Sequence, residues 1–395
     1  DGAMHLESPE ALAEPGEALV REAGSIAPPE IADAGKASFA DDQYALGVLS
    51  WALITARKPY DRGGLPLPRV FAPALPHGVT SVLMRATQQD PKRRFESVRA
   101  FAQALKSRTA PRGRSARSFK AAAATEIGRL KKLQMPVNQD AFYVGLDEKS
   151  GRGMLLVADG VSTADVGSGD LAANFVRDAV KGAWEGAVGD ILRGHGGPMP
   201  EDWLKAALEA ILDDANARIF AYLKQPIFVG SLGPSVHPPC STAVLAILDG
   251  DRLTVANVGD SRVYLLRDGV LEQMSVDQDL RTELLKAGRD PAGVGDPGAL
   301  GALTQSVGRL SFDEEGSISL RSVKPDVQTL WLRAGDRVLI CSDGVPDCLG
   351  QDAEEIMARE LARGDDPQAI AAALCRLADE ALGGDNITPL VLLAS

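Results

Sequence analysis

Beyond residue 121, short apolar runs of β character end repeatedly in aspartate-bearing turns, and this pattern narrows the possible folds most. Candidate strands occupy 141–146, 154–158, 242–248, 252–258, 262–267, 327–332, 337–341 and 388–393. Asp249-Gly250-Asp251 and Asp268-Gly269 join neighbouring runs as hairpin turns. Helical periodicity fits roughly 169–185, 201–223, 353–363 and 367–382. Hairpin-grouped strands with helices gathered between them predict an α+β domain of two stacked antiparallel sheets flanked by helices. A doubly wound parallel sheet would instead alternate the two element types.

The 395 residues exceed the usual single-domain size, and composition marks where the chain divides. Residues 1–25 are acidic and rich in Ala, Glu and Pro, which predicts a mobile arm. Residues 26–107 read as helical. Ala40-Asp41-Asp42 looks like the cap of a helix reaching about residue 55, another helix fits 79–89 after Pro76, and a third runs from about 94 to 106. Residues 108–120 carry Arg108, Arg112, Arg114 and Arg117 among Ser, Pro and Gly without apolar periodicity. This stretch reads as a basic linker, with an acidic binding partner as the alternative use. The domain at 121–395 follows.

A net charge of −12 argues against a general nucleic-acid or anionic-membrane binder. Cys240, Cys341, Cys348 and Cys375 contain no CxxC pair and read as reduced core residues. The longest apolar stretch, around 46–54, is too short to span a bilayer and no signal peptide is visible. A cytoplasmic protein is the expectation.

Four acidic motifs recur in order: Asn138-Gln139-Asp140, Ala158-Asp159-Gly160, Gly259-Asp260-Ser261-Arg262, and Ser342-Asp343-Gly344 followed by Gly384-Asp385-Asn386. A single Asp-Gly is turn chemistry first. Two of these aspartates follow buried-strand patterns directly, Val157-Ala158-Asp159 and Leu339-Ile340-Cys341-Ser342-Asp343, and an adjacent glycine frees a carbonyl as a further oxygen donor. Converging at one rim, such turns would gather hard oxygen ligands suited to Mg²⁺ or Mn²⁺.

The motifs, together with Ser241-Thr242-Ala243, Asn257-Val258-Gly259-Asp260-Ser261-Arg262-Val263-Tyr264, Leu303-Thr304-Gln305-Ser306-Val307-Gly308 and Asp385-Asn386-Ile387-Thr388, carry a resemblance. Residues 121–395 resemble a metal-dependent serine/threonine protein phosphatase of the PPM (type 2C) family, an α/β/β/α sandwich. The resemblance implies that Asp159 bridges two Mn²⁺ or Mg²⁺ ions, with the Gly160 carbonyl on one of them. Asp140, Asp343 and Asp385 would complete the pair, and Asp260 with Asp343 would hold a third, weaker ion. It further implies in-line attack of metal-activated water on a phosphoserine or phosphothreonine monoester, with a phosphorylated protein as substrate. Asp159 and Asp343 would then act through metal-bound water, and Cys341 would only pack.

Three positions depart from the family pattern. Met135 stands where an arginine usually clamps the substrate phosphate; Lys131 or Lys132 could substitute, although both are expected to point into solvent. Val161-Ser162-Thr163-Ala164-Asp165 replaces the usual Gly-Gly turn, as in a divergent bacterial branch, and leaves no histidine for the leaving group. Cys240 replaces a small residue. His5, His77, His195 and His237 fall outside every motif.

Residues 26–106 resemble the carboxyl-terminal part of the large lobe of a bacterial serine/threonine kinase. The matching residues are Ala27-Pro28-Pro29-Glu30, Asp42-Gln43-Tyr44-Ala45-Leu46-Gly47-Val48 and Asp90-Pro91-Lys92-Arg93-Arg94-Phe95, and a Glu30–Arg94 ion pair is implied. Because the chain has no glycine-rich loop, VAIK-type lysine or HRD-type loop, this all-α kinase C-lobe fragment is expected to be catalytically silent. The leading reading is a phosphoprotein phosphatase, with a cognate kinase as a candidate partner. The alternatives are a pseudophosphatase or regulatory binding module, or the phosphatase half of a bifunctional kinase–phosphatase regulator.

Overall fold

In the computed structural model, which describes residues 28–29, 39–59, 65–109, 115–162, 164–165, 167–228, 231–233, 236–313 and 318–395, the chain divides into two units, Asp1–Arg112 and Gly113–Ser395. The arm anticipated over 1–25, Glu30 and the linker residues 110–114 lie outside the described residues.

Helices α1 (Phe39–Thr55), α2 (Val79–Ala86) and α3 (Val98–Thr109) make up most of the described part of the first unit. Asp41 and Asp42 sit in the first turn of α1, where negative charge opposes the helix dipole. Val79, Leu83, Ala86 and Phe101 form its core, with Ile54 and Phe95 packed against them. Helix α3 begins at Val98 and not near 94 because Arg94 is extended and buried. Its guanidinium donates to the carbonyls of Gln88 (2.7 Å) and Ala40 (2.9 Å) and lies over the Tyr44 ring. Its Glu30 partner from the kinase resemblance is among the residues not described.

In chain order the second unit contains β1 (Phe119–Ala123), β2 (Glu126–Ile127), α4 (Lys131–Gln134), β3 (Asp140–Asp147), β4 (Arg152–Asp159), α5 (Gly169–Glu185), α6 (Ala187–Gly194) and α7 (Glu201–Leu223). Then come β5 (Ala243–Asp249), β6 (Arg252–Val258), β7 (Arg262–Arg267), β8 (Val270–Gln273), α8 (Leu280–Lys286), β9 (Leu310–Phe312), β10 (Ile318–Leu320), β11 (Asp326–Trp331) and β12 (Arg337–Cys341). Helices α9 (Gly344–Leu349), α10 (Ala353–Ala362) and α11 (Pro367–Ala381) precede β13 (Asn386–Ile387) and β14 (Pro389–Ala394).

Two antiparallel sheets, ordered β1-β14-β12-β7-β8 and β11-β6-β5-β4-β3, stack through strict side-chain alternation. On β4, Leu155 and Val157 enter the core between the sheets, while Met154, Leu156 and Ala158 face the core that contains α5 and α7. On β12, Val338 and Ile340 point between the sheets, and Leu339 and Cys341 pack with α9, α10 and α11. The layers therefore run helix, sheet, sheet, helix.

The basic stretch expected to act as linker as far as residue 120 ends otherwise. Ala116 and Phe119 are buried, and Phe119 opens β1, paired with Ala394 of β14. Exposed Arg117 and Lys120 on either side, and the alanines that follow, mask a strand whose pairing comes from the far end of the chain.

One rim of the β3-to-β11 sheet is closed by opposite charges. Asp249, nearly inaccessible, accepts from Arg152 Nε (3.1 Å), from Arg252 (2.7 Å) and from the Met199 amide (2.8 Å). Arg152 also donates to the carbonyls of Leu192, His195 and Gly197, pinning the α6–α7 connection. Replacing Asp249 by Ala strands two buried guanidinium groups and should cost about 3–5 kcal/mol in urea unfolding of the full chain. A loss below about 1 kcal/mol, the scale of an exposed pair, would show that the triad is solvated.

Candidate metal centre

At the opposite rim the strand ends deliver several carboxylates, of which, among the described residues, only Asp385 has a nearby ammonium, that of Lys131. Asp140 begins β3 and Asp159 ends β4, and the antiparallel register sets these two residues directly opposite each other. Asp260 lies in the turn from β6 to β7, Asp343 follows β12, and Asp385 precedes β13. Gly344 allows the last two to meet, since a Cβ there would lie 1.9 Å from the Asn386 carbonyl oxygen. Gly160 is equally constrained: a Cβ would fall 2.1 Å from the Gly169 carbonyl oxygen. Only glycine fits either approach.

Hydroxyl and amide groups hold the carboxylates in place. Oδ2 of Asp140 accepts from Ser342 Oγ (2.7 Å) and Thr388 Oγ1 (2.6 Å), while its Oδ1 is buried without a partner. Asp343 Oδ1 is likewise buried and unpartnered. The Asp159 amide donates to Thr242 Oγ1 (3.0 Å), which lies 2.7 Å from Ser261 Oγ. Asn386 Oδ1 accepts from the Gln139 amide, tying the Asp385 turn to the Asp140 strand.

Burial dominates the electrostatics. It raises Asp140 to about 7 against the help of Thr388 and Ser342, with Asp343 and Asp385 adding to the rise. Burial, then Asp385 and Asp347, lift Asp343 to about 6; burial, then Asp343 and Asp277, lift Asp260 to about 8. Asp159 is held well above its ordinary value by burial and then by Asp140, Asp343, Asp385 and Asp260. Mutual repulsion of this kind requires the five carboxylates to share one neighbourhood. Among the described residues, no group of three or more His, Cys, Asp or Glu side chains is so placed that it could hold a metal ion as it stands. The rim thus brings oxygen donors together without the spacing of a filled shell. Two orphaned buried oxygens and an all-oxygen donor set fit a hard divalent cation.

Lys131 does not point into solvent as anticipated. Because the amides of Leu130 and Lys131 both donate to the Gly383 carbonyl, its ammonium reaches Asp385 Oδ1 (2.6 Å) and Ser162 Oγ (3.0 Å). Lys132 is exposed. His237 is bound to Asp165 through its ring (3.0 Å) and amide (2.9 Å), and the wholly buried Cys341 thiol is pushed up by burial. Ser342, Thr388, Thr242 and Asn386 belong to motifs visible in the sequence. Their work on Asp140 and Asp159 is not visible there, since it depends on contacts across up to 248 residues.

These shifts fix a direction for pH. Asp140, Asp343 and Asp260 keep protons in the metal-free fold to about pH 7, 6 and 8, whereas unfolded aspartate releases them near 3.8. The native state binds more protons across that interval, so the stability these groups contribute is present at low pH and lost as pH rises through 6 to 8. In EDTA, the parent should lose more melting temperature between pH 5.5 and 8.5 than Asp260→Asn, and Mn²⁺ should restore most of the loss. Equal pH slopes for parent and variant would contradict the buried cluster.

Comparison with known proteins agrees with this geometry. The family model described as protein phosphatase 2C matches residues 235–286. Protein phosphatase PhpP of Streptococcus pneumoniae is 28% identical over 266 residues, covering 67% of this chain and 93% of that protein. The serine/threonine phosphatase stp of Listeria monocytogenes is 26% identical over 212 residues, 53% of this chain and 74% of its own. Among solved structures, PstP of Mycobacterium tuberculosis matches with a TM-score of 0.52 at 25% identity, covering 70% of this chain and 98% of that one. A structure of the PstP catalytic domain with two manganese ions matches equally well. PppA of Pseudomonas aeruginosa gives a TM-score of 0.51 at 26% identity, covering 71% of this chain and all of PppA. Family model, named relatives and solved structures thus together support a serine/threonine phosphatase domain of the PPM (PP2C) type in this chain.

Proposed function

We propose that the second unit is a Mn²⁺- or Mg²⁺-dependent phosphatase acting on phosphoserine or phosphothreonine in proteins. The reading is carried by Asp140 and Asp159 standing opposite each other in the strand register, with Asp343 and Asp385 close enough to repel them. Asp140, Asp159, Asp343, Asp385 and the Gly160 carbonyl would hold two ions, and Asp260 with Asp343 a third. When bound, such ions supply a nucleophilic water at neutral pH and shield charge developing on the phosphoryl oxygens.

The chain's own groups do the rest. Ser342 and Thr388 occupy one oxygen of Asp140 and leave the other buried without a hydrogen-bond partner. Lys131, anchored by Asp385 and Ser162, places an ammonium beside the rim, where a phosphate dianion needs a counter-charge and Met135 supplies none. Lys132, by its exposure, is the weaker candidate for that role. The Lys131–Asp385 pair also suits a second reading, a binding module without turnover, in which the ammonium neutralises a former metal ligand. The first unit we read as a kinase-lobe-derived accessory without catalysis of its own, its buried Arg94 being the feature that favours this origin.

Turnover separates the two readings. With Mn²⁺ the full chain should hydrolyse p-nitrophenyl phosphate and phosphoserine peptides, and EDTA should abolish this. Asp343→Asn should lower kcat by on the order of 10²-fold or more. Ser342→Ala and Thr388→Val, which remove hydroxyls that hold Asp140, should cost roughly 10–100-fold in Mn²⁺ affinity. Lys131→Ala should raise KM, with Lys131→Arg retaining most of the affinity. A parent with no turnover at saturating Mn²⁺ would favour the binding module, and full activity in Asp343→Asn would remove that aspartate from the ligand set.

A further inference from the structure

The short ribbon of β9 and β10 carries an arrangement that metal chemistry does not explain. Ser311 pairs with Ser319 and Leu310 with Leu320, and the ladder continues as the Arg321 amide donates to the Arg309 carbonyl at 3.0 Å. Arg309 and Arg321 are therefore opposed across the two strands. Alternation puts Arg309, Ser311, Ser319 and Arg321 on one face, with the two serine hydroxyls 2.8 Å apart, and Leu310 and Leu320 on the other. Leu310 packs against the core beneath α5 and α7.

Like charges directly opposite one another destabilise a strand pair. Among the described residues neither arginine is joined to a carboxylate; Arg309 donates only to the Thr304 carbonyl. Burial, with Arg321 adding to it, pulls the Arg309 guanidinium below its ordinary value. In a chain of net charge −12, carboxylates to pair with such residues are plentiful, yet this pair has none among the described residues.

The ribbon is wired to the metal centre. Val307 pairs with Ser241, Ser241 pairs with Gly160, and Ser241 Oγ donates to the Asp159 carbonyl at 2.9 Å. Two interstrand steps of ~4.8 Å separate Gly160 from Val307, and Arg309 lies two residues further, so the pair sits roughly 10–17 Å from the centre. An extended peptide covers that span in roughly three to five residues.

We propose that Arg309 and Arg321, with Ser311 and Ser319, form a specificity subsite that receives an acidic side chain of the substrate about three to five residues from the phosphorylated serine or threonine. This deepens the phosphatase reading and rests on it. Two guanidinium groups on one face suit a carboxylate through charge-assisted hydrogen bonds, and the bound anion relieves their repulsion.

The test uses the full chain with Mn²⁺ and phosphoserine peptides of equal length, bearing aspartates or asparagines at those distances on either side. The parent should favour the acidic peptide by about tenfold in kcat/KM through a lower KM, the scale of one hydrogen bond to a charged group. The preference should shrink as salt rises. Arg309→Gln/Arg321→Gln should bring the ratio close to one, with Arg309→Lys/Arg321→Lys keeping part of it. The ratio does not depend on the folded fraction, and removing opposed charges should leave the melting temperature unchanged or higher. Equal handling of both peptides by the parent, or an undiminished ratio in the Gln variant, would overturn the subsite. Failure of the parent on p-nitrophenyl phosphate would count against the phosphatase reading alone. Fluorescence anisotropy of the labelled peptides then decides the subsite, through acidic-peptide affinity present in the parent and lost in the Gln variant.

Discussion

Burial of like charges governs this structure. Asp140, Asp159, Asp260 and Asp343 share one rim with too little water or counter-charge around them to ionise at their ordinary values, and the fold must hold them there against their repulsion. It does so with backbone. Asp140 and Asp159 face each other because strand register puts them there, and the Asp343 and Asp385 turns meet where no Cβ intervenes. Side-chain freedom is not what positions the site, so repulsion can shift protons but has little slack with which to move ligands apart.

The two rims of the β3-to-β11 sheet make the point by contrast. Strand β4 runs from Arg152 to Asp159, and its ends meet opposite electrostatic solutions. At Arg152 the chain supplies two guanidinium groups to one carboxylate and ties a helix connection down with the surplus donors. At Asp159 it supplies carboxylates to carboxylates and leaves two oxygens without a donor. The same strand has access to both solutions, so the uncompensated rim is a stability cost tolerated for something that binds there.

Much of this architecture is legible in the amino-acid sequence. The strands from β3 to β7, with β11, β12 and β14, follow from apolar runs and turn signals, and α5 and α7 from periodicity, because local pattern and tertiary environment agree. Strand β1 is hidden: Phe119–Ala123 is mostly alanine between basic residues, and its pairing partner ends the chain. Strands β2 and β13 are two residues each and exist only as partners of one another. At the site, the aspartates announce themselves by turn chemistry. Lys131 does not, because its direction is set by a carbonyl in the loop after α11 and its ion pair spans 254 residues. Sequence spacing reports what a segment prefers; it is silent on what a distant segment pulls into place.

Charge at long range and charge at the rim act in opposite senses on a phosphoprotein. A chain of net charge −12 repels an anionic partner at distances where its field sums, which slows encounter most at low ionic strength. Closer in, the field is no longer a sum over the molecule but the work of whichever cations stand nearest. Lys131 is held by Asp385, and under the proposed ligand assignment an ion drawing that carboxylate away would free the ammonium to face a phosphate. Affinity for an anion would then depend on the ions both directly and through the lysine they release. A global field that discourages encounter and a local one that strengthens when the centre is loaded would together favour phosphorylated ligands, whose dianionic oxygens gain more from a loaded centre than a singly charged carboxylate does.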